Sequence, residues 1–433
     1  TSDQLSKSLD DWLCHINTTH HKEVDLTLDR LREVMLNMAL YPVCPVITVG
    51  GTNGKGSTCA MLEAIYTNAG YEVGLFSSPH LIRFNERIRV ANKDANDEDI
   101  ISAFEKIELA RKTVSLTYFE FSFLAALNIF LQQDLDLIIL EVGLGGRLDA
   151  ANVLDPICAI VTNVALDHME FLGDNREAIG EEKAAIFRGD GALSICGDED
   201  PPQSIIDVSA EVGTNLQLVS RDFGFIKASP GWTFWSNSGV RMSLSPPRLQ
   251  GEHQLINASV AIEAVTRLKI HLPIDAASIR SGLLDAERLG RFQVLPARPL
   301  ILLDVAHNVA SVMALVNELK RASYKGKTRL VFGALADKQY VKMLSLMEPV
   351  VDRILVCGLP GKRSMAPDIV LSQIAPHFIA GKVISCDSVA QAIDQSLEES
   401  DLDDRIIVCG SFITVTAALN HPFVSSLVHN SNK

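Results

Sequence analysis

The sequence lacks the features that mark membrane, secreted, repeat and nucleic-acid-binding proteins. No uncharged apolar run approaches the ~18 residues of a membrane-spanning helix, and residues 1–11 lack the charged-then-apolar order of a signal peptide. No low-complexity tract or solenoid-period repeat occurs, and no cluster of Lys and Arg is long enough to form a cationic stripe. We therefore expect a soluble globular protein whose main partner is neither a nucleic acid nor a membrane.

Closely spaced cysteine pairs are missing as well. The 8 cysteines stand at positions 14, 44, 59, 158, 196, 357, 386 and 409, without a C-x-x-C pair. Many of them fall in apolar, strand-like segments. This distribution favours reduced, buried thiols and, with them, a cytoplasmic location.

What the chain does contain is an ordinary globular composition with a negative balance of charge. Its 433 residues are 47% hydrophobic and 21% charged, and the formal net charge is -14. This length exceeds what one hydrophobic core usually supports, so we expect two or three domains. Anionic small molecules remain possible ligands where local cations and backbone amides overcome the overall negative field.

The first half of the chain has the pattern of an α/β fold. Between Val46 and His168, apolar runs of strand length alternate with amphipathic helical stretches, which is typical of βαβ units that build a parallel sheet. The predicted strands are Val46–Gly50, Val73–Ser77, Leu137–Val142 and Ile157–Val161, and two of the predicted helices are Thr58–Ala69 and Glu120–Gln133.

The pattern changes after about residue 204 and then begins again. Residues 204–247 predict short antiparallel strands at the edge, followed by a helix near His253–Lys269. Two prolines within Pro296–Pro299 predict a linker. Beyond it, Leu300–Val305, Arg329–Phe332, Arg353–Val356 and Arg405–Val408 are predicted strands of a second, Rossmann-like domain. We therefore predict domains at 1–296 and 297–433.

The segment Val46–Ser57 combines a strand, a glycine-rich turn, a lysine and a hydroxyl ahead of a helix. Glycines allow backbone N–H groups to approach phosphate oxygens, the helix start adds its positive end, and Lys55 can neutralise phosphate charge. The match to G-x-x-x-x-G-K-[ST] is imperfect, because Val49 occupies the first glycine position and Gly56 separates Lys55 from Ser57. We favour a phosphate loop over a flexible turn with a solvated lysine.

Polar side chains stand where other predicted strands end. Glu141 ends an apolar strand, Ser78 follows the strand before it, and His168 lies beyond a later strand. The carboxyl edge of a parallel sheet is where ligands bind in open α/β folds, and these groups could ligate a divalent ion there. Taken one by one, a helix-capping acid and a plain turn are equally acceptable interpretations, and a lone histidine is more commonly a packing or surface residue. The glycine-rich loop 143–149 could contact substrate or serve only as a tight connection.

A series of motifs follows one order along nearly the whole chain. They are Thr52–Ser57, Ser77–Leu81, Leu116–Glu120, Glu141–Asp149, Leu166–His168, Lys183, Gly290–Phe292, Asp304–Asn308 and Cys409–Phe412. The series resembles the bacterial dihydrofolate synthase and folylpolyglutamate synthase family of the Mur-type ligase superfamily, whose phosphate loop has this unconventional spacing. The resemblance implies an N-terminal P-loop ATPase domain with a parallel sheet and a small antiparallel addition, followed by a Rossmann-like domain.

The resemblance also implies a reaction. In this family the substrate carboxylate attacks the γ-phosphate of ATP, and the amino group of glutamate then displaces phosphate from the acyl phosphate. No enzyme nucleophile is required, so the protein positions three substrates and neutralises oxygen charge. The leading hypothesis is a bifunctional enzyme that joins L-glutamate to dihydropteroate and adds further glutamates to reduced folates. The alternative is a monofunctional folylpolyglutamate synthase, and a monomer is the family default.

Site residues follow from the same resemblance. ATP would be bound by Thr52, Asn53, Gly54, Lys55, Gly56, Ser57, Asn257, Arg291 and Asp304. Two Mg²⁺ ions would be bound by Ser78, Glu141, His168 and Lys183, and the catalytic set would be Lys55, Glu141, His168 and Lys183. The pterin would contact Asp25, Leu26, Thr117, Tyr118, Phe119, Glu120, Leu148, Asp149 and Ala150, and glutamate would contact His307 and Ser411.

Lys183 needs a modification for this role. A protonated lysine cannot ligate Mg²⁺, and the matching family lysine is carbamylated. We expect the side chain of the neighbouring Glu182 to point away from the metal site, because adjacent side chains on a helix point in different directions. Two other classes are less favoured: a kinase or nucleotide hydrolase would not need the motifs of the second domain, and a nucleotide-sensing protein would not keep the metal and glutamate positions.

Overall fold

Apolar strands and amphipathic helices alternate along the chain in two separate sets. The protein is described by a computed structural model, which covers residues 7–322, 324–361, 363–364, 366–379 and 381–431. One unit takes the described chain up to Val164 together with Glu170–Arg248 and Leu255–Glu287. The second takes the chain from Arg288 together with Ala165–Met169 and Leu249–Gln254.

The first unit is built on a mostly parallel sheet with a small antiparallel sheet beside it. The strand orders are β4-β3-β2-β5-β1-β6-β7-β8 and β11-β10-β9, and the antiparallel pairs of the larger sheet are β2 with β3 and β3 with β4. The strands are β1 Val46–Gly50, β2 Val73–Phe76, β3 Ile88–Val90, β4 Lys93–Asp94, β5 Leu137–Glu141, β6 Cys158–Val161, β7 Leu193–Cys196, β8 Asn215–Leu218, β9 Phe223–Lys227, β10 Trp232–Ser236 and β11 Arg241–Leu244. The helices are α1 Leu9–Ile16, α2 Asp29–Met38, α3 Lys55–Asn68, α4 Asp97–Arg111, α5 Tyr118–Phe130, α6 Met169–Leu172, α7 Arg176–Ala184, α8 Gln203–Val212, α9 Glu252–Arg267 and α10 Ala276–Asp285.

The second unit has a Rossmann-like sheet with the order β12-β13-β17-β14-β15-β16, in which only β12 is antiparallel. The strands are β12 Gln293–Leu295, β13 Leu300–Leu303, β14 Thr328–Phe332, β15 Arg353–Cys357, β16 Val383–Cys386 and β17 Arg405–Cys409. The helices are α11 Val309–Arg321, α12 Tyr340–Met347, α13 Pro367–Ile374, α14 Val389–Glu398, α15 Phe412–Leu419 and α16 Pro422–Ser431. The two sheets confirm the predicted fold class.

Local sequence explains why the helices that border the site begin where they do. Gly54 has a φ of +84°, which glycine tolerates, and turns the chain after β1 into α3 at Lys55. Thr117 and Glu120 form a capping box at the start of α5. In the second unit, Asn308 caps α11 and Ser411 caps α15 through side-chain oxygens that accept backbone N–H groups.

The structure corrects two expectations about elements. Residues 204–247 were predicted as antiparallel strands only, but helix α8 and the parallel strand β8 precede the antiparallel sheet. Isoleucine, valine and serine lower the intrinsic helix propensity of α8 and hide it in the sequence. Pro296–Pro299 does not connect separate sheets, because it joins β12 to β13 in one antiparallel pair.

Two general expectations concern the thiols and the membrane. All 8 cysteines are free thiols, and most of them are buried. None of the helices in the described ranges combines the length and apolar character that crossing a bilayer requires.

Candidate active site

The glycine-rich loop after β1 is held in shape by the segment that follows the neighbouring strand β6. The backbone N–H of Thr52 donates to the carbonyl of Asn163 (2.9 Å), and the N–H of Asn53 donates to Asn163 Oδ1 (2.9 Å). Lys55 Nζ donates to the carbonyl oxygens of Gly51 (3.0 Å) and Thr52 (3.2 Å). An ammonium group has three N–H donors, so Lys55 can brace the loop and still direct one donor to a phosphate.

Helix α9 also contacts this loop, through Asn257. A side chain at Gly54 would come within 2.6 Å of Asn257 Oδ1, so the buried Asn257 amide lies directly against the loop. Ser57 is buried in the first turn of α3, next to Gly56. The first unit therefore brings Asn257 together with the predicted phosphate-binding residues 52–57.

Glu141 and Ser78 lie at the carboxyl ends of neighbouring parallel strands. β2 and β5 are paired, with Phe76 opposite Leu140, and the Ser78 N–H donates to Glu141 Oε2 (3.1 Å). Glu141 is only 3% exposed. A buried carboxylate that contacts the backbone of a serine, one strand away from a phosphate loop, together with the oxygen of the serine side chain has the ligand chemistry of a Mg²⁺ site.

Lys183 is buried on α7 at 4% exposure. The glycine loop packs on this turn: a Cβ at Gly146 would lie 2.5 Å from the Glu182 carbonyl and 3.1 Å from Lys183 Cα. Arg147 binds Glu182 through Nε (2.9 Å) and Glu181 through Nη2 (3.2 Å). Glu182 therefore engages Arg147.

The donor set suits a hard divalent ion only in combination with other oxygens. Within the described ranges, no group of three or more His, Cys, Asp or Glu side chains is gathered as a metal site. Mg²⁺ commonly uses one or two carboxylates together with waters and substrate phosphates, so Ser78 and Glu141 are a chemically sufficient protein contribution in the first unit. His168 belongs to the second unit, where it has a φ of +49°.

The predicted pterin residues belong to three segments of the first unit. They are Asp25, Leu26, Thr117, Tyr118, Phe119, Glu120, Leu148, Asp149 and Ala150. Two of these segments meet at Gly143, where a Cβ would lie 2.6 Å from the Phe119 ring and 3.2 Å from Asp149 Oδ2. The carboxylate of Asp149 accepts backbone N–H groups from Gly143 (3.0 Å), Leu144 (2.9 Å) and Ala151 (2.9 Å). Burial nevertheless raises the pKa of Asp149 to about 6.

Tyr118 lies in an aromatic and cationic cluster with a histidine of fixed protonation. The Arg87 guanidinium lies 5.3 Å from the Tyr118 ring centre, and its Nε donates to His80 Nδ1 (2.7 Å). Burial and the Arg87 charge lower the pKa of His80 to about 4. His80 is therefore neutral near pH 7, with its proton on Nε2.

In the second unit, Asp304, Arg291, His307 and Ser411 lie around the ends of β13 and β17. Asp304 accepts N–H groups from Phe292 (2.8 Å) and Ala306 (2.8 Å), and burial raises its pKa. The Phe412 ring lies 5.2 Å from the Arg291 guanidinium and 5.5 Å from the His307 ring. Ser411 is 4% exposed and accepts the Thr414 N–H (3.1 Å).

Asp167 was not singled out as a site residue from the sequence, although it stood within a motif. It is buried and accepts hydrogen bonds from Lys338 Nζ (2.5 Å) and Asn308 Nδ2 (3.0 Å). His307 donates Nδ1–H to the Val305 carbonyl (2.8 Å) and turns Nε2 towards Asp167 (3.3 Å). Although burial raises it, the pKa of Asp167 is held far below its usual range by the hydrogen bond from His307 and by the charges of His307 and Lys338. Lys338 lies in no recognisable motif, and only its buried contact identifies it.

Two protein families match this chain over the regions that contain the site residues described above. The Mur ligase middle domain matches residues 49–265, and the Mur ligase, glutamate ligase domain matches residues 290–412. The dihydrofolate synthase/folylpolyglutamate synthase of Escherichia coli (strain K12) is 39% identical over 413 residues, which cover 95% of each chain. The chain belongs to the dihydrofolate synthase/folylpolyglutamate synthase family. This confirms the resemblance of the motifs and makes the protein an ADP-forming ligase of the Mur type.

Solved structures of this ligase family share the whole fold. The E. coli FolC complex with DHPP and ADP has a TM-score of 0.90 and 37% identity, covering 100% of both chains. A bifunctional folylpolyglutamate synthase/dihydrofolate synthase with Mn, AMPPNP and L-glutamate bound has a TM-score of 0.88 and 38% identity, covering 99% of this chain and 100% of that one.

Proposed function

We propose that the protein joins L-glutamate to dihydropteroate, giving dihydrofolate, and adds further glutamates to reduced folates, with conversion of ATP to ADP and phosphate. The observation that carries this proposal is the Ser78–Glu141 pair beside the phosphate loop, in a chain that is 39% identical to a dihydrofolate synthase/folylpolyglutamate synthase over 95% of its length. Phosphoryl transfer needs positioning and charge neutralisation, and these groups supply both.

The nucleotide would be bound by the residues that the family resemblance implies. In the first unit, residues 52–57 would bind the phosphates through backbone N–H groups and Lys55, with Asn257 beside them. In the second unit, Arg291 and Asp304 would complete the nucleotide contacts. This assignment is supported by the packing of Asn257 against Gly54 and by the fixed carboxylate of Asp304.

Two Mg²⁺ sites are part of the proposal. Ser78 and Glu141 would hold one ion, and Glu141, His168 and a carbamylated Lys183 would hold the second. Bound Mg²⁺ would neutralise charge on the transferring phosphoryl oxygens. Lys183 is 4% exposed, and a carbamate on its Nζ would give it the anionic oxygen that Mg²⁺ requires.

The carboxylate of dihydropteroate would attack the γ-phosphate, and the glutamate amine would then attack the acyl phosphate. Asp25, Phe119 and Asp149, with their neighbours in the same three segments, would bind the pterin. His307 and Ser411 would bind glutamate. Excluding water would protect the acyl phosphate from hydrolysis. We further propose a cytoplasmic monomer.

The decisive measurement is ADP formation by purified protein with Mg-ATP and glutamate. One reaction contains dihydropteroate, another contains tetrahydrofolate, and each has a control without glutamate. We expect glutamate-dependent ADP release in both, and we expect Glu141→Gln to lower it by about 100-fold or more. Activity with tetrahydrofolate alone would reduce the assignment to a folylpolyglutamate synthase, and inactivity in both reactions would refute it.

A further inference from the structure

The loop before α2 and the first turn of α2 are tied to the start of α5 by three side-chain contacts in the first unit. Thr19 Oγ1 donates to the Leu116 carbonyl (2.7 Å), and His20 Nδ1 meets Ser115 Oγ at 2.9 Å. Arg30 Nη2 donates to Glu120 Oε1 (3.0 Å). These contacts bring together two chain segments that are about ninety residues apart and that both contain proposed pterin residues.

Arg30 is the centre of this arrangement. Its Nη1 donates to Asp25 Oδ2 (2.8 Å), and its Nη2 is shared between the Asp25 carbonyl (2.9 Å) and Glu120 Oε1 (3.0 Å). The Arg30 side chain is 19% exposed and that of Glu120 is 6% exposed. A planar guanidinium can bind two acceptors in fixed directions, which an ammonium cannot do.

The three carboxylates near the proposed pterin differ in whether an oxygen remains that can accept a hydrogen bond from the substrate. Glu120 uses Oε1 for Arg30 and Oε2 for the Thr117 N–H (2.7 Å). Asp149 uses both oxygens for backbone N–H groups. Asp25 is different, because its two hydrogen bonds, from Arg30 and from His20 Nε2 (3.0 Å), both go to Oδ2.

The second oxygen of Asp25 therefore has spare capacity. Oδ1 receives no hydrogen bond from the described residues, and Lys22 Nζ lies 4.0 Å from it. The Asp25 side chain is 28% exposed. A pterin carries an amino group and a ring N–H, which need such an acceptor.

We propose that Arg30 and His20 are positioning residues of the pterin site: together they fix Asp25 with Oδ1 directed at the substrate and join its loop to α5. This inference rests on the proposed function. Neither residue needs to touch the substrate, because each acts through Asp25, and Arg30 also acts through Glu120. The predicted consequence is a loss of pterin affinity that leaves ATP and glutamate binding intact.

A matched control exists within the same unit. Arg111 donates to Glu108 through Nε (2.8 Å) and Nη2 (2.6 Å) and to the Val114 carbonyl (2.9 Å), and Glu108 also contacts His15 (3.2 Å). This set repeats the carboxylate, histidine, arginine and carbonyl of the Asp25 set. None of its members is assigned to substrate.

The test compares Arg30→Met, Arg30→Lys, His20→Ala and Arg111→Met in the full chain, with steady-state KM and kcat for each substrate. In Arg30→Met, we expect the KM for dihydropteroate to rise about tenfold or more, since hydrogen bonds to charged groups are lost. The KM values for ATP and glutamate should stay within about twofold. Arg30→Lys should recover only part of the loss, and Arg111→Met should leave all three KM values unchanged.

Three outcomes would overturn the inference. In the first, Arg30→Met behaves like Arg111→Met. In the second, all three KM values and the thermal midpoint change together, which would mean a structural role only. If Arg30→Met does not fold, His20→Ala decides, and an unchanged dihydropteroate KM in that variant refutes the idea. Wild-type protein that does not turn over dihydropteroate removes the proposed function itself, a result distinguishable from a failure of the variants alone.

Discussion

Several proposed substrate residues are also helix caps. Thr117 caps α5, Asp149 caps a short 3-10 turn, and Ser411 caps α15. In parallel α/β units, helix N-termini follow strand ends at the edge where ligands bind. The same position therefore offers backbone N–H groups to anions and requires a polar side chain for stability. Substitution of such a residue changes the unfolding free energy together with binding.

His80 allows a prediction about pH that depends on one residue. Its pKa is about 4 in the folded state because of burial and Arg87, against 6.5 when unperturbed. Between these values the unfolded chain binds a proton that the folded chain does not, so folding stability is present above pH ~6.5 and is lost as the pH falls towards ~4. His80→Asn keeps an acceptor for Arg87 but removes the titration.

We expect the unfolding free energy of wild-type protein to fall more than that of His80→Asn between pH 7 and pH 4. The difference should be about 1–2 kcal/mol once solvent screening of the partly exposed ring is allowed for. Denaturant unfolding across this range, with EDTA present to remove divalent ions, measures it. Parallel pH profiles for the two proteins would contradict the prediction.

At the residue scale, the sequence predicts donors but not their partners. The glycine loop, Glu141 and Ser78 could be identified because each follows an apolar strand. Nothing in the sequence indicates that Arg30 binds both Asp25 and Glu120, because that contact depends on how two distant segments pack. Lys338 was missed for the same reason.

At the scale of elements, one contact with little spare room is that between α3 and α10. A Cβ at Gly282 would lie 2.5 Å from Ile65 Cα and 2.6 Å from Ile65 N, so the two helix backbones nearly touch. Because α3 begins at Lys55, its seating also sets the direction of the first turn behind the phosphate loop. Glycine is required here by space, since its φ is not in the left-handed region.

We predict that Gly282→Ala destabilises the protein by about 1–3 kcal/mol, because the helices must separate to admit one methyl group. Helix propensity alone would give the opposite sign, as alanine favours a helix by up to ~1 kcal/mol over glycine. Chemical denaturation measures the difference. Arg280→Ala, at an exposed position of the same helix, is the control and should change the unfolding free energy by less than about 0.5 kcal/mol. If Gly282→Ala is more stable than the wild type, the two helices have room for a methyl group and the prediction is wrong.

The elements that could be predicted were those with a strong apolar period. Strands β1, β5, β13 and β17 are continuous apolar runs, and their predicted ends differ from the observed ones by no more than two residues. α8 was missed because β-branched residues fit a strand pattern equally well. Its burial against the rest of the first unit overrides that propensity.

At the scale of the whole molecule, the chain does not divide at one point. Ala165–Met169 and Leu249–Gln254 belong to the second unit although they precede Arg288 in sequence. Asp167 accepts hydrogen bonds from the side chains of Lys338 and Asn308, and the Glu252 N–H donates to Glu318 Oε1 (2.9 Å). The sequence pattern cannot reveal that such short segments belong to the second unit, because five or six residues carry too little periodicity to identify their unit.

The start of the second unit can be tested with two fragments, 288–433 and 297–433. Both fragments lack Asp167 and Glu252, so the loss of those contacts affects them equally. The shorter fragment also lacks β12, whose Leu295 is 1% exposed. It loses the Phe292 N–H bond to Asp304 as well and leaves the edge of β13 without its partner strand. Urea unfolding should therefore give the longer fragment an unfolding free energy higher by about 2–4 kcal/mol. Equal midpoints would favour the boundary at 296/297, whereas aggregation confined to the shorter fragment would agree with an exposed strand edge.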